Sequence, residues 1–219
     1  MITNFRLEYD NASLSAPSYE SDEIIRFLEK SQLETVNQLF LAKEYALIED
    51  LLLTATFTVA GPPAIGSSTT VPGGKTADLV TATTPRFMYY VTSYTEYVRS
   101  AAPVMSATIV QNQDIKKEEI KYYTTSAFNA PIFRYPKAVM DGPVLTVIVD
   151  GYSSTISKII VDYVAEPQPL LATGSLAGHV TTCEVKPVLH DQIVKRAVEL
   201  AMLVSDPARS ALNTKIHNQ

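Results

Sequence analysis

The sequence predicts an α+β fold, with helices at both chain ends packed together and an antiparallel β-rich middle carrying a long Gly/Pro loop. Three observations predict it. Helical periodicity is confined to the two ends of the chain. Between them lie short alternating runs rich in Val, Ile, Thr and Tyr. Helices and strands do not take turns along the chain, which argues against a doubly wound parallel sheet. The 219 residues fit a single domain, 1–219, and are enough to bury a core without disulfides or metals.

Residues 1–17 read as an N-terminal arm, with Ile2, Phe5 and Leu7 weakly alternating and Pro17 closing it. Ser18 or Ser21 can then cap a helix whose first turn carries Glu20, Asp22 and Glu23, where negative charge meets the helix dipole. Ile24, Ile25, Leu28, Val36, Leu39 and Phe40 give that helix an apolar stripe, and Gln32 interrupts it. A second helical run covers roughly 42–53, with Tyr45, Ile48, Leu51 and Leu52.

The period then changes, and 54–185 reads as the β-rich middle. TATFTVAG is a strand. GPPAIGSSTTVPGGKT, within 61–78, holds four of the eight glycines and reads as the long loop or hairpin tip. DLVTATT, RFMYYVTSYTEYV and VMSATIV read as strands, and IKKEEIKYY as a short polar helix or turn. PVLTVIVD and SKIIVDYVAEP are expected to pair as a hairpin through GYSSTI, and HVTTCEVKP to form the last strand. Pro187 opens the terminal helix, 187–205, where a Pro costs no helical hydrogen bond. Leu189, Ile193, Ala197, Leu200 and Val204 line its apolar face, and Asp191, Lys195 and Glu199 make i,i+4 charge pairs outside. Residues 206–219 are a polar C-terminal tail.

Composition narrows the functional classes. Hydrophobic residues make up 46% and charged residues 19%, which fits a globular chain and excludes compositional disorder. A net charge of −5 without a basic stripe argues against a sequence-reading nucleic-acid binder. Cys183 stands alone, so no internal disulfide forms and a reducing compartment suits the chain. The start lacks the basic-then-apolar layout of a signal peptide, and no run reaches the ~18 apolar residues of a membrane span. The expectation is a protein made in a cytoplasm, with no membrane partner.

The chemical motifs dissolve on inspection. Gly74-Lys75-Thr76 suggests a phosphate loop, but residue 69 is Thr where that motif needs Gly, and a strand-like run follows. Gly174-Ser175-Leu176 is preceded by Thr173, so it makes no nucleophile elbow. His179, His190 and His217 lack zinc spacing, and His179 with Cys183 supplies too few ligands. Glu118-Glu119 and Glu49-Asp50 read as solvated neighbours. Tyr89, Tyr90, Tyr94 and Tyr97 could stack on bases, but only Arg86 and Arg99 flank them, so packing or a protein contact is the better reading. No catalytic, cofactor-binding or metal-binding residue is assigned, and no cofactor.

Three segments taken together resemble a known family. They are SYESDEIIRFLEKSQLETV near the start; Asn129–Pro136 (NAPIFRYP) with the following strands and YVAEPQP ending at Pro169; and Cys183–Ala201, CEVKPVLHDQIVKRAVELA. Their order and spacing resemble the head-to-tail connector ring (adaptor) proteins of crAss-like tailed bacteriophages. The likeness spans most of the chain and is weakest over the arm and the 61–78 loop. It implies a virion structural protein rather than an enzyme. The expected partners are further copies of the chain in a closed ring of about twelve, the portal protein, and neighbouring ring or tail proteins. DNA would pass through the lumen without sequence-specific binding. The resemblance carries no catalytic signature across. Other structural roles in the tail or collar, and a small carbohydrate-binding module using the Tyr-rich strands, are the competing expectations.

Overall fold

Two helices that contact each other from opposite ends of the chain anchor the first of two compact units, Met1–Leu51 with Glu166–Gln219; the second is Leu52–Ala165. The computed structural model describes residues 1–12, 19–59, 63–69, 71, 74–82, 86–99, 107–125, 135–149, 154–171, 180 and 183–205. The helices are α1 (Ile2–Ala12), α2 (Ser21–Ala42), α3 (Leu79–Ala82), α4 (Ile120–Thr125) and α5 (His190–Ser205). The strands are β1 (Leu52–Thr58), β2 (Gly66–Ser67), β3 (Lys75–Asp78), β4 (Phe87–Arg99), β5 (Ala107–Gln111), β6 (Gln113–Asp114), β7 (Lys137–Asp141), β8 (Val144–Ile148) and β9 (Ser154–Ala165). The α+β class is therefore as expected. The sequence reading drew 1–219 as one domain with 54–185 as its middle; the sheet-bearing unit instead ends at Ala165, and Glu166 onward belongs with the helices.

In the helical unit α2 packs on α5, and α1 on both. Ile24, Leu28 and Val36 of α2 and Ile193, Ala197 and Ala201 of α5 are almost fully buried, at the three-to-four spacing that puts them on one face. Of the expected capping serines, Ser18 lies outside the described residues and Ser21 is the first helical residue, not the cap. Glu20 is the N-cap residue, and its backbone N–H donates to the Glu23 carboxylate at 3.0 Å. Lys43 ends α2 in the left-handed region, φ 60°, and its N–H reaches the Phe40 carbonyl at 3.0 Å. That turn breaks the helical run expected over 42–53, where two 3-10 turns follow instead, Tyr45–Leu47 and Glu49–Leu51.

Residues 2–12 are not a free arm. α1 buries Phe5 and Tyr9, and their rings join Tyr19 and Phe27 in one aromatic cluster. The Tyr9 hydroxyl bonds Ser205 Oγ at 3.3 Å, and the Tyr19 hydroxyl donates to the Ala201 carbonyl at 3.1 Å. The weak alternation of Ile2, Phe5 and Leu7 misleads, because the buried pair is Phe5 and Tyr9, one helical turn apart. Leu7 is 60% exposed. On α5 the expected face is buried except Val204, which lies on the last turn and is exposed. Glu199 pairs with Arg196 at 2.9 Å, and Arg196 also reaches Glu34 on α2 at 2.8 Å. Residues 206–219 lie outside the described residues.

The second unit is built from two sheets, ordered β1-β9-β4-β5 and β2-β3-β8-β7-β6. All their ladders are antiparallel except β6 with β7. Phe57, Ile159 and Val161 of the first sheet share one core with Ala77, Ala138, Leu145 and Val147 of the second. This is sheet-on-sheet packing of inward-facing alternate residues. The expected hairpin between PVLTVIVD and SKIIVDYVAEP does not form. β8 pairs with β3 and β7 in one sheet, and β9 with β1 and β4 in the other. The tight hairpin is β7–β8, turned by Gly142-Pro143 with Gly142 at φ 61°, a conformation glycine adopts without strain. DLVTATT splits between β3 and the short α3, whose entry is fixed by Asp78 accepting the Val80 N–H at 3.1 Å. The Gly/Pro loop contributes β2 and the start of β3 where it is described. HVTTCEVKP keeps only an isolated bridge, Leu170 with Val180, among its described residues.

Candidate functional site

A cleft of the helical unit lies between α2 and the segment Glu166–Pro169. It encloses about 330 Å³ and is lined by Arg26, Glu29, Lys30, Gln32, Leu33 and that segment. Local chemistry explains the shape. Pro167 and Pro169 have no N–H, so the segment can neither continue a ladder nor start a helix in mid-run. The two N–H groups at Gln168 and Leu170 are met by carboxylates: Glu184 Oε2 accepts from Gln168 at 2.7 Å, and Glu29 Oε1 accepts from Leu170 at 2.8 Å. The segment is thus strapped along α2.

Gln32 stands out in this wall. It is 1% exposed, and its Nε2 is the one buried side-chain polar atom without a hydrogen-bond partner among the described residues. Arg26 and Lys30 sit one turn apart on α2, exposed, with no ion pair among the described residues.

In the β unit a polar network sits where the chain crosses from one sheet to the other. Asn112 lies between β5 and β6 and is 5% exposed. Its Nδ2 donates to Ser93 Oγ at 2.8 Å, and its Oδ1 accepts from Thr95 at 2.6 Å. Tyr90 bonds Ser93 at 3.0 Å and donates to Asp114 at 2.5 Å. Burial raises the pKa of the Tyr90 phenol, and its bond to Asp114 adds to the rise. Burial also raises Asp114, against the lowering effect of the Tyr90 hydrogen bond. Lys137 donates to Gln113 beside this seam and sits 4.8 Å from the Tyr123 ring centroid.

The residues weighed from sequence scatter. Lys75 begins β3 and donates to Ser67 at 3.4 Å, so the Gly-Lys-Thr run is a strand start. Gly174-Ser175, His179 and His217 lie outside the described residues. His190 Nε2 bonds the Val185 carbonyl at 2.9 Å at the base of α5. Glu119 accepts from the Lys116 N–H at 2.9 Å, and Glu49 pairs with Lys186 at 2.9 Å, which holds its carboxyl below the usual range. Cys183 is buried, and burial pushes its thiol pKa up. The Tyr-rich strand is not an exposed stacking platform: Tyr97 is 2% exposed and Tyr90 belongs to the seam network.

No group of three or more His, Cys, Asp or Glu placed to hold a metal occurs among the described residues. No described helix is long and apolar enough to cross a membrane. Compared with models of known protein families the chain matches none, and a search of curated proteins finds no significant match. Of the two features above, only the interruption at Gln32 had a sequence signal. The seam joins residues from 90 to 114 whose meeting depends on sheet topology.

Proposed function

We propose that this protein is a virion structural subunit, a ring component of the head-to-tail connector between portal and tail of a tailed bacteriophage. DNA would pass through the ring without being read, and the chain would carry no catalytic residue and take no cofactor. One observation carries the reading. Parts of all three segments that resemble connector proteins, α2, the Glu166–Pro169 strap and α5, belong to one unit, while the strands of the second segment, β7 to β9, belong to the other. The parts in the first unit are tied by Leu170 N–H to Glu29 at 2.8 Å, Ser31 Oγ to the Ile193 carbonyl at 2.7 Å, and Arg196 to Glu34 at 2.8 Å. A rigid helical body is what a subunit needs if head-to-tail contacts are to close into a ring.

The test is native mass of the purified protein, alone and mixed with the portal protein of the same phage. A shift to a large complex holding a closed ring of copies supports the reading and places the subunit next to the portal. Absence of association with the portal across several salt concentrations, and equally with the other ring and tail proteins, overturns it.

A further inference from the structure

We propose that copies of this chain join edge to edge, β1 of one copy against β5 of the next, in a continuous antiparallel sheet. The contact would serve the ring proposed above, but it rests on the two strand edges and not on that reading. β1 and β5 are the edges of the first sheet, β1-β9-β4-β5. Along an antiparallel edge strand every second residue turns its N–H and C=O away from the ladder. Bonds at the strand ends fix which residues these are. The Thr58 N–H donates to the Pro63 carbonyl at 3.1 Å and the Thr58 carbonyl accepts from the Ile65 N–H at 2.9 Å, so both groups face away from β9. Leu52, Thr54 and Thr56 therefore turn outward too. Beyond the other edge, the Asn112 N–H donates to the Ser93 carbonyl of β4 at 2.9 Å. Val110 and Thr108 therefore face β4, and Ala107, Ile109 and Gln111 turn outward. All six outward residues are exposed, and none has a backbone partner on its outer side among the described residues.

These edges carry none of the usual protection. Proteins blunt an open edge with a very short strand, a charge, a proline or a bulge. The second sheet does so by length, since its edge strands β2 and β6 have two residues each. β1 has seven residues and β5 five, with no charged residue and no Pro in either, and no register shift in their ladders. Leu52 is 37% and Ile109 56% exposed on these open edges.

Direction and register select the occupant. Every ladder of the sheet is antiparallel, so β1 and β5 run in opposite senses. β1 of a second copy laid against β5 therefore continues the antiparallel order. The outward residues meet when Leu52 lies opposite Gln111, Thr54 opposite Ile109 and Thr56 opposite Ala107, and residues so paired exchange both hydrogen bonds. Leu53 then meets Val110, and Ala55 meets Thr108, on the face that carries the core residues Phe57 and Ile159. Core face continues core face across the joint. The bonds from Thr58 to Pro63 and Ile65 close the β1 edge beyond this stretch, so the open length of β1 matches β5. Pairing β5 with β5 of a second copy would leave both β1 edges open. β1 on β5 covers both edges with one repeated contact, the heterologous kind that can close into a ring.

The experiment is sedimentation velocity on the full chain, with Thr56→Lys blocking β1 and Ile109→Lys blocking β5. Both substitutions fall at exposed side chains without a hydrogen bond among the described residues, and a dispersed ¹H–¹⁵N spectrum checks that each variant is folded. The parent should self-associate with a dissociation constant on the order of 0.1 mM, weak because one added strand buries little area. Each variant alone should associate at least ~10-fold more weakly, because a lysine on an edge opposes strand addition. Mixed in equal amounts, the two variants should form a heterodimer and nothing larger, since each keeps the edge that the other has lost. The unsubstituted chain gives a second readout: the amides of Thr54, Thr56, Ile109 and Gln111 should exchange with deuterium more slowly in concentrated than in dilute solution. A parent that stays monomeric at ~1 mM, well above that dissociation constant, overturns the proposal. So does self-association of Ile109→Lys at parental strength. Self-association of Thr56→Lys at parental strength also overturns it, leaving β5 paired with itself. Rings formed equally well on the portal by both variants would support the connector reading and overturn this contact; edge pairing by a chain that binds no portal, ring or tail protein would do the reverse.

Discussion

Asn112 shows how one side chain can hold a fold's corner. It donates to Ser93 and accepts from Thr95, and both of those residues are fully buried. Asn112→Ala takes the acceptor from the Thr95 hydroxyl in a dry seam, while Ser93 keeps its bond to Tyr90, so the cost is the desolvation of one unpaired group, ~1–3 kcal/mol. Urea melts should show a lower midpoint at unchanged slope, and a change under ~0.5 kcal/mol, the scale of a neutral surface substitution, would mean that water replaces the amide. Two carboxylates in the same unit respond to pH with opposite signs. Glu96 is held below its ordinary 4.5, first by the Ser157 hydroxyl and then by Lys158. Its stabilisation is complete above that value and is lost as pH falls through the native pKa. Asp114 is raised above its ordinary 3.8 by burial, so its contribution is complete below that value and is lost as pH rises through the native pKa. Melts across pH should therefore show Glu96→Gln less stable than the parent at neutral pH, with the gap closing in acid. Asp114→Asn, which keeps an acceptor for Tyr90, should match or exceed the parent at neutral pH and lose that advantage in acid. Parallel pH curves for the two variants would contradict both assignments.

At the scale of elements, α1 decides whether the chain start is an arm or part of the core. Phe5 is 1% exposed and lies 6.4 Å, ring to ring, from Phe27 of α2. Phe5→Ala should cost ~3–5 kcal/mol, the price of a large cavity, in a denaturant melt of the full chain; a loss below ~0.5 kcal/mol, the range of an exposed position, would restore the free arm. The same helix marks the limit of sequence reading. α2 and α5 were legible because each repeats apolar residues over several turns, and α5 adds Pro187 at its entry. α1 buries only Phe5 and Tyr9, too few to set a period against the noise of Ile2 and Leu7. Strand existence was legible in β1, β4 and β9, but partnership was not. Alternation says which side chains share a face and is silent about which strand lies alongside, so β8 and β9 looked like a hairpin while a sheet change separates them. The Asp141-Gly142 pair was the stronger turn signal and sits where the real hairpin turns. The cleft was half legible, since Gln32 was conspicuous on α2 while the strap opposite it becomes a neighbour only through Glu29 and Leu170.

For the whole molecule, the division at Leu52 and Ala165 predicts separable folding. Each sheet ladder among the described residues pairs strands that both lie within 52–165. The apolar cluster from Phe57 to Val161 lies there too, as does the Ser93–Asn112–Thr95 network. Cutting the chain at those two points breaks no ladder and none of these hydrogen bonds. About 114 residues is also within the usual size of a self-sufficient domain. The fragment 52–165 should therefore give a dispersed ¹H–¹⁵N spectrum and a single cooperative melt. Leu145→Ala, at a fully buried position of that core, should lower the fragment's stability by ~2–5 kcal/mol and shift the same transition by a similar amount in the full chain. Ile193→Ala, in α5, should leave resonances from β3, β7 and β8 in the full chain where they are while disturbing those of α2. A collapsed fragment spectrum would show that the sheets depend on the helical unit, and the two units would then have to be treated as one cooperative structure.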